Sequence, residues 1–195
     1  KEITEIKWDA EAAEKSGFEH FMMKEIHEQP KAVQATLNGV IKDGAIRLDE
    51  MGLTEERIKE IGEIYIVACG SAYHAGVVAQ YCIEGLAKIP VRGDLASEFR
   101  YRKPLLKKDS LVIVISQSGE TADSLAALRE SKNLGARTLA VVNVVGSSIA
   151  READNVFYTL AGPEIAVATT KAYGTQLAAG YLLAVQFAKV RGEID

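Results

Sequence analysis

The feature that most constrains the fold is a set of short runs in which nearly every residue, and not every second one, is apolar. The clearest is LVIVIS at 111–116, which a helical pattern follows. Strands of this kind are buried on both faces, as in a parallel sheet covered by helices. Candidate strands lie within residues 64–69, 89–96, 111–116, 137–144 and 155–160. We therefore predict an α/β domain with a flavodoxin-like, doubly wound parallel sheet of five strands.

Helical patterns precede and separate these strands. Before the sheet we expect an N-terminal helical layer: a helix from Phe18 stopped by Pro30, a second over 31–41 and a third over 53–62 closed by Gly62. Residues 1–17 are charged and weakly periodic, and they are interpreted as a linker or docking arm. The remainder, 18–195, is interpreted as a single domain.

The helices that connect the strands follow the same periodicity. The one after the first strand carries an apolar side made of Val77, Val78, Tyr81, Cys82 and Leu86. Others are expected over 121–135, from Ser147 or Ser148, and over 176–190.

Composition excludes several classes of function. The 195-residue chain has a net charge of −4, so it lacks the basic surface expected of a nucleic-acid-binding protein. It has no apolar run near the roughly 20 residues that cross a bilayer. Cys69 and Cys82 have no metal-type spacing and are expected to be buried free thiols of a cytoplasmic protein. The absence of an initiator Met suggests a fragment or a processed chain.

Three segments that follow predicted strands carry small polar residues: CGSA at 69–72, SQSGET at 116–121 and AGPEIAVATTKAYG at 161–174. Ligands of open parallel sheets bind at the carboxyl ends of the strands, so these segments are the candidate walls of a site.

SQSGET resembles an anion cradle. Gly119 permits a tight turn that exposes backbone N–H groups, and the positive end of the next helix faces the same point. Ser116, Ser118 and Thr121 add hydroxyl donors, and Gln117 adds an amide. Because no lysine or magnesium ligand accompanies them, a bound phosphate would be a handle and not a transferred group. The alternative is an ordinary turn with a hydroxyl cap.

The other two segments give weaker signals. A ligand contact and a helix cap explain Gly70 and Ser71 equally well. His74 is expected to be a neutral residue that is either packed or exposed. Lys171 is interpreted as a solvated side chain. Arg100, Arg102 and Lys103 in SEFRYRKP form either a solvated loop or a subunit contact.

Together, CGSAYHAG, ASEFRYRKP, SQSGETADSLAALR, NVVGSSIAREAD and GPEIAVATTKAYGTQL resemble, in that order, the isomerase part of the glutamine–fructose-6-phosphate aminotransferase family. HFMMKEIHEQP resembles the helix that opens that part. The resemblance extends from about Phe18 to the last helix. It implies the first of two sugar isomerase (SIS) domains, with a glutaminase domain and the second SIS domain as partners in a homodimeric parent enzyme. It implies no cofactor and no metal.

Carried over residue by residue, the resemblance places the phosphate of fructose 6-phosphate or glucosamine 6-phosphate on Ser116, Gln117, Ser118 and Thr121. Ser71, the backbone of Val167 and the Thr169 hydroxyl would face the sugar, with Gly70 and Gly119 in support. Some members carry serine where this chain has Ala72 and Thr169. The imine-forming lysine, the glutamate base and the ring-opening histidine of the family lie outside this chain, so no catalytic residue is expected in it.

Two other functions fit a phosphosugar site. One is a non-catalytic, sugar-phosphate-sensing SIS domain of a regulator, and the other is a stand-alone SIS isomerase. SEFRYR and GPEIAVATTKAY favour the aminotransferase over both.

Overall fold

A computed structural model describes residues 14–195 of the chain. The helices are α1 Phe21–Val40, α2 Glu55–Lys59, α3 Gly70–Ala87, α4 Ala96–Arg102, α5 Ala122–Asn133, α6 Ser148–Glu152 and α7 Lys171–Arg191. The strands are β1 Ile41–Lys42, β2 Ala45–Ile46, β3 Glu63–Ala68, β4 Val91–Leu95, β5 Ser110–Ser116, β6 Arg137–Val142 and β7 Asn155–Tyr158. The predicted docking arm lies mostly outside the described residues.

Strands β3 to β7 form one parallel sheet in the order β4-β3-β5-β6-β7. The first strand of this sheet along the chain is β3, and β4 follows at the edge beside it. The chain then crosses to the other side of β3, where it forms β5, β6 and β7. The strand order therefore reverses between β3 and β5, which is where a doubly wound sheet opens a crevice for a ligand. This confirms the predicted fold class.

The strands are apolar throughout because helices cover both faces of the sheet. In β3, Ile64 and Ile66 pack into a cluster with α3 and α7, whereas Tyr65 and Val67 pack on the opposite face with α4, α5 and α6. Successive side chains of a strand point to opposite faces, so a strand buried on both sides has no polar alternation.

The helix predicted to stop at Pro30 continues through it, so the prediction of two helices over 18–41 is wrong. Proline removes one backbone donor, which would normally bond to the carbonyl four residues earlier. That carbonyl belongs to Ile26, and it accepts a hydrogen bond from the Gln29 side-chain amide at 3.3 Å. The neighbouring side chain thus replaces the missing donor, and α1 runs on to pack against α7.

A two-residue hairpin between β1 and β2 was not predicted. Asp43 and Gly44 form its turn with φ of 50° and 74°. Asp-Gly between short strands is the usual sequence of a type I′ turn, which needs positive φ at both positions. The Asp-Gly pair within residues 41–46 therefore indicates this hairpin.

Other local predictions need correction. The third helix of the N-terminal layer is shorter than predicted, because α2 covers only part of 53–62. SEFRYR is not a loop but lies in α4, where Phe99 is fully buried. The buried residues of α3 are mostly small, whereas Tyr81 is 72% exposed; the buried residues are Ala75, Gly76, Ala79, Ile83 and Ala87.

The two cysteines are free, as predicted, but half-buried and not buried. Burial nevertheless raises the pKa of the Cys82 thiol. Of the helices within residues 14–195, none combines the length and apolar content that a bilayer crossing requires.

Candidate functional site

A cavity of about 300 Å³ lies at the carboxyl ends of β3 and β5, beside the loop that leads into α7. All seven residues predicted to contact a ligand line it: Ser71, Ser116, Gln117, Ser118, Thr121, Val167 and Thr169. The remaining lining residues are Cys69, Ala72, Glu164, Ala166 and Gln176. The structure therefore gathers the three predicted walls around one space. The ligand assigned to them stays a prediction.

The hydroxyl groups of the loop 116–121 are organised by hydrogen bonds. Ser116 Oγ accepts from Gly119 N at 3.1 Å and lies 3.0 Å from Thr121 Oγ1. Ser118 Oγ accepts from Glu120 N at 3.2 Å. A hydroxyl that accepts a hydrogen bond keeps its own proton for donation. Ser118 and one member of the Ser116–Thr121 pair can therefore donate to an anion in the cavity.

The backbone of this loop needs glycine at position 119. Gly119 has φ of 67°, and a Cβ there would lie 2.0 Å from Ser147 Oγ and 2.5 Å from Ser147 Cβ. The loop also bonds to its neighbours, since Ile149 N donates to Gly119 O and Asn143 N donates to Gln117 O. The end of β5 is thus held against the segment after β6.

The acidic residue of the loop is directed away from the cavity. Glu120 Oε1 accepts from Ser148 N at 2.7 Å, and the hydrogen bonds from Ser148 lower the pKa of the Glu120 carboxyl. Its negative charge is therefore used at the start of α6 and is not among the groups that line the cavity.

Helix α5 adds a positive end to the same wall. Its first internal hydrogen bond joins Leu125 N to Thr121 O at 2.9 Å. The amides of 122–124 consequently have no acceptor within the helix, and the partial positive charge there favours an anion. Thr121, which precedes these amides, lines the cavity.

Gln117 contributes a buried acceptor. In the part of the chain that the structure describes, its Oε1 atom has no hydrogen-bond partner. Buried polar atoms are nearly always satisfied, so a donor from a ligand or water would be accommodated here. A sugar hydroxyl has the required chemistry.

The wall contributed by β3 is a helix start and not a loop. Gly70, with φ of 58°, opens α3, and Ser71 lies in its first turn. Cys69 Sγ lies 3.9 Å from Ser124 Oγ, which links this wall to α5. His74 is exposed and does not line the cavity.

The third wall, residues 161–170, is shaped by Glu164. Thr169 Oγ1 donates to Glu164 Oε1 at 2.8 Å, and Ala172 N donates to Glu164 Oε2 at 2.8 Å. The carboxylate therefore caps the start of α7, and its charge is favourable at a helix N-terminus. Because Thr169 uses its proton on Glu164, its oxygen would accept from a ligand and not donate.

Lys171 is not solvated, so that prediction is wrong. Its side chain is buried, and its Nζ atom lies 2.6 Å from Glu28 Oε2 on α1. The sequence around Lys171 does not indicate its partner, because Glu28 lies 143 positions away. Lys171 thus joins α7 to α1, and no lysine or arginine within residues 14–195 lines the cavity.

The cavity is suited to holding a phosphorylated ligand by neutral donors. The one carboxylate that the described part of the chain places in its lining, that of Glu164, is bonded to the start of α7. Among residues 14–195, no cluster of His, Cys, Asp or Glu could hold a metal ion. A larger groove of about 470 Å³ lies along β7, but the SQSGET donors do not line it.

Comparisons with known proteins agree with this geometry. A family model described as the SIS domain matches residues 57–186. Glutamine–fructose-6-phosphate aminotransferase (isomerizing) of Clostridium acetobutylicum is 62% identical over 97% of this chain and 31% of its own length. The protein of the same name from Clostridium tetani is 60% identical over 100% of this chain and 32% of its own.

A solved structure gives the same picture. The C-terminal domain of glucosamine-fructose-6-phosphate aminotransferase from Francisella tularensis has a TM-score of 0.88 and 44% identity, and the match covers 93% of this chain and 51% of that one. The chain spans about a third of the length of the curated relatives named above.

Proposed function

The chain belongs to the SIS domain family, and on that premise we propose that it binds fructose 6-phosphate as part of an isomerising, glutamine-dependent aminotransferase. The observation that carries this proposal is the convergence of the SQSGET donors, the α5 N-terminus and the loop 161–170 on one cavity. The names of its relatives support the choice of ligand over other sugar phosphates.

Different walls of the cavity would bind the phosphate and the sugar of the ligand. The hydroxyl of Ser118 and that of one member of the Ser116–Thr121 pair would donate to the phosphate oxygens, in the field of the α5 N-terminus. Ser71, the Val167 backbone and the Thr169 oxygen would face the sugar. Each bond from these neutral donors to the phosphate dianion is charge-assisted, so they can hold the phosphate without a lysine or an arginine.

The chemistry of the whole protein is a further part of the proposal. Glutamine-derived ammonia would condense with the carbonyl of fructose 6-phosphate to form an imine, and the carbonyl oxygen would leave as water. A base would then move a proton between C1 and C2 of the imine to give glucosamine 6-phosphate. Among the described residues, the cavity lining holds no histidine or lysine, and its one carboxylate caps α7. The catalytic groups would therefore come from a glutaminase domain and a second SIS domain of the parent chain.

Calorimetry on the 195-residue chain tests the proposal. Fructose 6-phosphate and glucosamine 6-phosphate should bind, whereas fructose should bind much more weakly because it lacks the phosphate. Equal binding of fructose and fructose 6-phosphate, or binding of neither, would contradict a phosphosugar site. Isomerisation of fructose 6-phosphate by this chain alone would contradict the placement of the catalytic groups elsewhere.

A cytoplasmic homodimer is also proposed. Met22, Met23 and Ile26 expose apolar surface on α1, and Tyr101 and Leu105 expose it near α4. Light scattering should give a mass twice the 21.1 kDa of one chain. A mass of one chain at high protein concentration would contradict it.

A further inference from the structure

We propose that Glu25, on α1, is a positioning residue that holds the sugar-facing loop of the cavity in place. This inference rests on the proposed function. Glu25 lies outside the cavity lining and before the region 57–186 that matches the SIS family. The family model does not reach it, and the motif that contains it, HFMMKEIHEQP, gives it no role.

The Glu25 carboxylate is buried and bonded to the backbone of the loop. Glu25 as a whole is only 2% exposed. Oε1 accepts from Ile165 N at 2.6 Å and from Ala166 N at 3.2 Å, and Oε2 lies 3.3 Å from Ala166 N. A single side chain on α1 therefore sets the direction of two successive amides, 140 positions further along the chain.

These amides directly precede the part of the loop that would meet the sugar. Ala166 itself lines the cavity, and Val167 follows it. The Val167 side chain is fully exposed, so its own packing does not hold it. The position of its backbone consequently depends on the bonds made by the residues on either side.

Within residues 14–195 the loop has three anchors, of which Glu25 is the middle one. At its start, Asn143 Nδ2 donates to Gly162 O at 2.7 Å and Asn143 Oδ1 accepts from Ala161 N at 2.7 Å. At its end, Glu164 caps α7 and accepts from Thr169. Between them, only the Glu25 carboxylate holds the 165–166 amides among the hydrogen bonds of the described residues.

The phosphate wall has hydrogen bonds that do not involve Glu25. Backbone carbonyls of SQSGET accept from Asn143 N and Ile149 N. No hydrogen bond joins SQSGET to Glu25 among the described residues. Loss of the Glu25 carboxylate should therefore affect contacts to the sugar and leave contacts to the phosphate unchanged. A merely structural role would weaken both to the same degree.

The test compares Glu25→Ala and Glu25→Gln with Glu19→Ala, whose side chain is 88% exposed. The dissociation constants of fructose 6-phosphate and of inorganic phosphate are measured by calorimetry. For Glu25→Ala we expect fructose 6-phosphate to bind about tenfold more weakly, the equivalent of one or two lost hydrogen bonds, and phosphate to bind as in the wild type. Glu25→Gln keeps one acceptor oxygen and should fall between, and Glu19→Ala should match the wild type.

Hydrogen exchange at the Ile165 and Ala166 amides completes the test, since Glu25→Gln should speed it. If the wild type binds fructose 6-phosphate and both variants bind it equally well, the inference is overturned. Equal weakening of both ligands overturns it too. If the wild type binds no sugar phosphate, the proposed function fails. In that case hydrogen exchange at the two amides of Glu25→Gln still decides whether Glu25 holds the loop: unchanged exchange would overturn the inference. The same measurement decides it if Glu25→Ala does not fold.

Discussion

Lys171 Nζ and Glu28 Oε2 lie 2.6 Å apart at the contact between α7 and α1, and Glu28 Oε1 lies 3.5 Å from the ammonium of Lys24. The Lys171 side chain is 4% exposed, whereas that of Glu28 is 29% exposed. The pair is therefore largely withdrawn from water at the point where α7 begins, next to the loop that lines the cavity.

Replacing Lys171 with Met should destabilise the fold by roughly 2–4 kcal/mol, because it leaves a partly buried carboxylate with one cation instead of two. Lys59→Met is the control, since Lys59 is 59% exposed and 3.9 Å from Glu55, and it should change stability by less than about 0.5 kcal/mol. Urea unfolding measures both. Equal effects of the two substitutions would show that the buried pair contributes nothing specific.

Ser118→Ala should weaken fructose 6-phosphate binding about tenfold or more, because a charge-assisted hydrogen bond contributes roughly 1.5–3 kcal/mol. Ser118→Asp should weaken it further by placing a like charge against the phosphate, and Thr121→Ala should resemble Ser118→Ala. Ser97→Ala, on α4 and outside the cavity lining, serves as the control. Calorimetry on the four variants checks this, and unchanged affinity in both Ser118 variants would remove the cradle.

Gly119→Ala should destabilise the fold by more than Gly135→Ala. Both glycines have positive φ, at 67° and 82°, so both substitutions strain the backbone by about 1 kcal/mol. A Cβ at Gly135 meets nothing within 4 Å, whereas one at Gly119 collides with Ser147. The difference between the two unfolding free energies therefore reports the collision. Ser147→Gly in the Gly119→Ala background should recover part of it, and no difference would argue against the close approach.

Asp154 should make stability depend on pH in the acid range. Burial alone would raise the pKa of its carboxyl, but hydrogen bonds from Lys132 and Thr138 outweigh this and lower it. A lowered folded-state pKa adds stability above the unfolded-state value, near 3.9, and that stability is lost as the pH falls through the folded-state pKa.

Asp154→Asn should therefore be less stable than the wild type at pH 7, and the gap should shrink as the pH falls below about 4. Thermal unfolding across this range measures it, with Glu19→Gln at an exposed position as the control. A gap that stays constant from pH 7 to pH 3 would mean that the ionised carboxylate is not responsible.

The sheet could be predicted from the sequence because its determinants are local. A strand such as 111–116, buried on both faces, is visible as an unbroken apolar run, and the βα order then restricts the topology. The seven lining residues follow from the same logic, since the ends of parallel strands share one edge.

What the sequence could not provide depends on contacts between distant parts of the chain. The continuation of α1 through Pro30 needs a replacement donor from Gln29, and the burial of Lys171 needs Glu28. The prediction of the buried side of α3 is wrong because close packing of two helices favours small residues over large ones. A Cβ added to Gly180 of α7 would lie only 2.9 Å from the Cβ of Ala79 on α3. Hydrophobic periodicity gives no weight to such contacts.

The position of α1 bears on how the domain could be shortened. Trimming the chain to the family-matching region 57–186 would keep every strand of the parallel sheet and the whole SQSGET loop. It would also delete Glu25 and Glu28, the two carboxylates that reach from α1 to the loop 161–170 and the start of α7. A boundary drawn by family likeness would thus keep the residues of the phosphate wall and remove the side chains that hold the sugar wall.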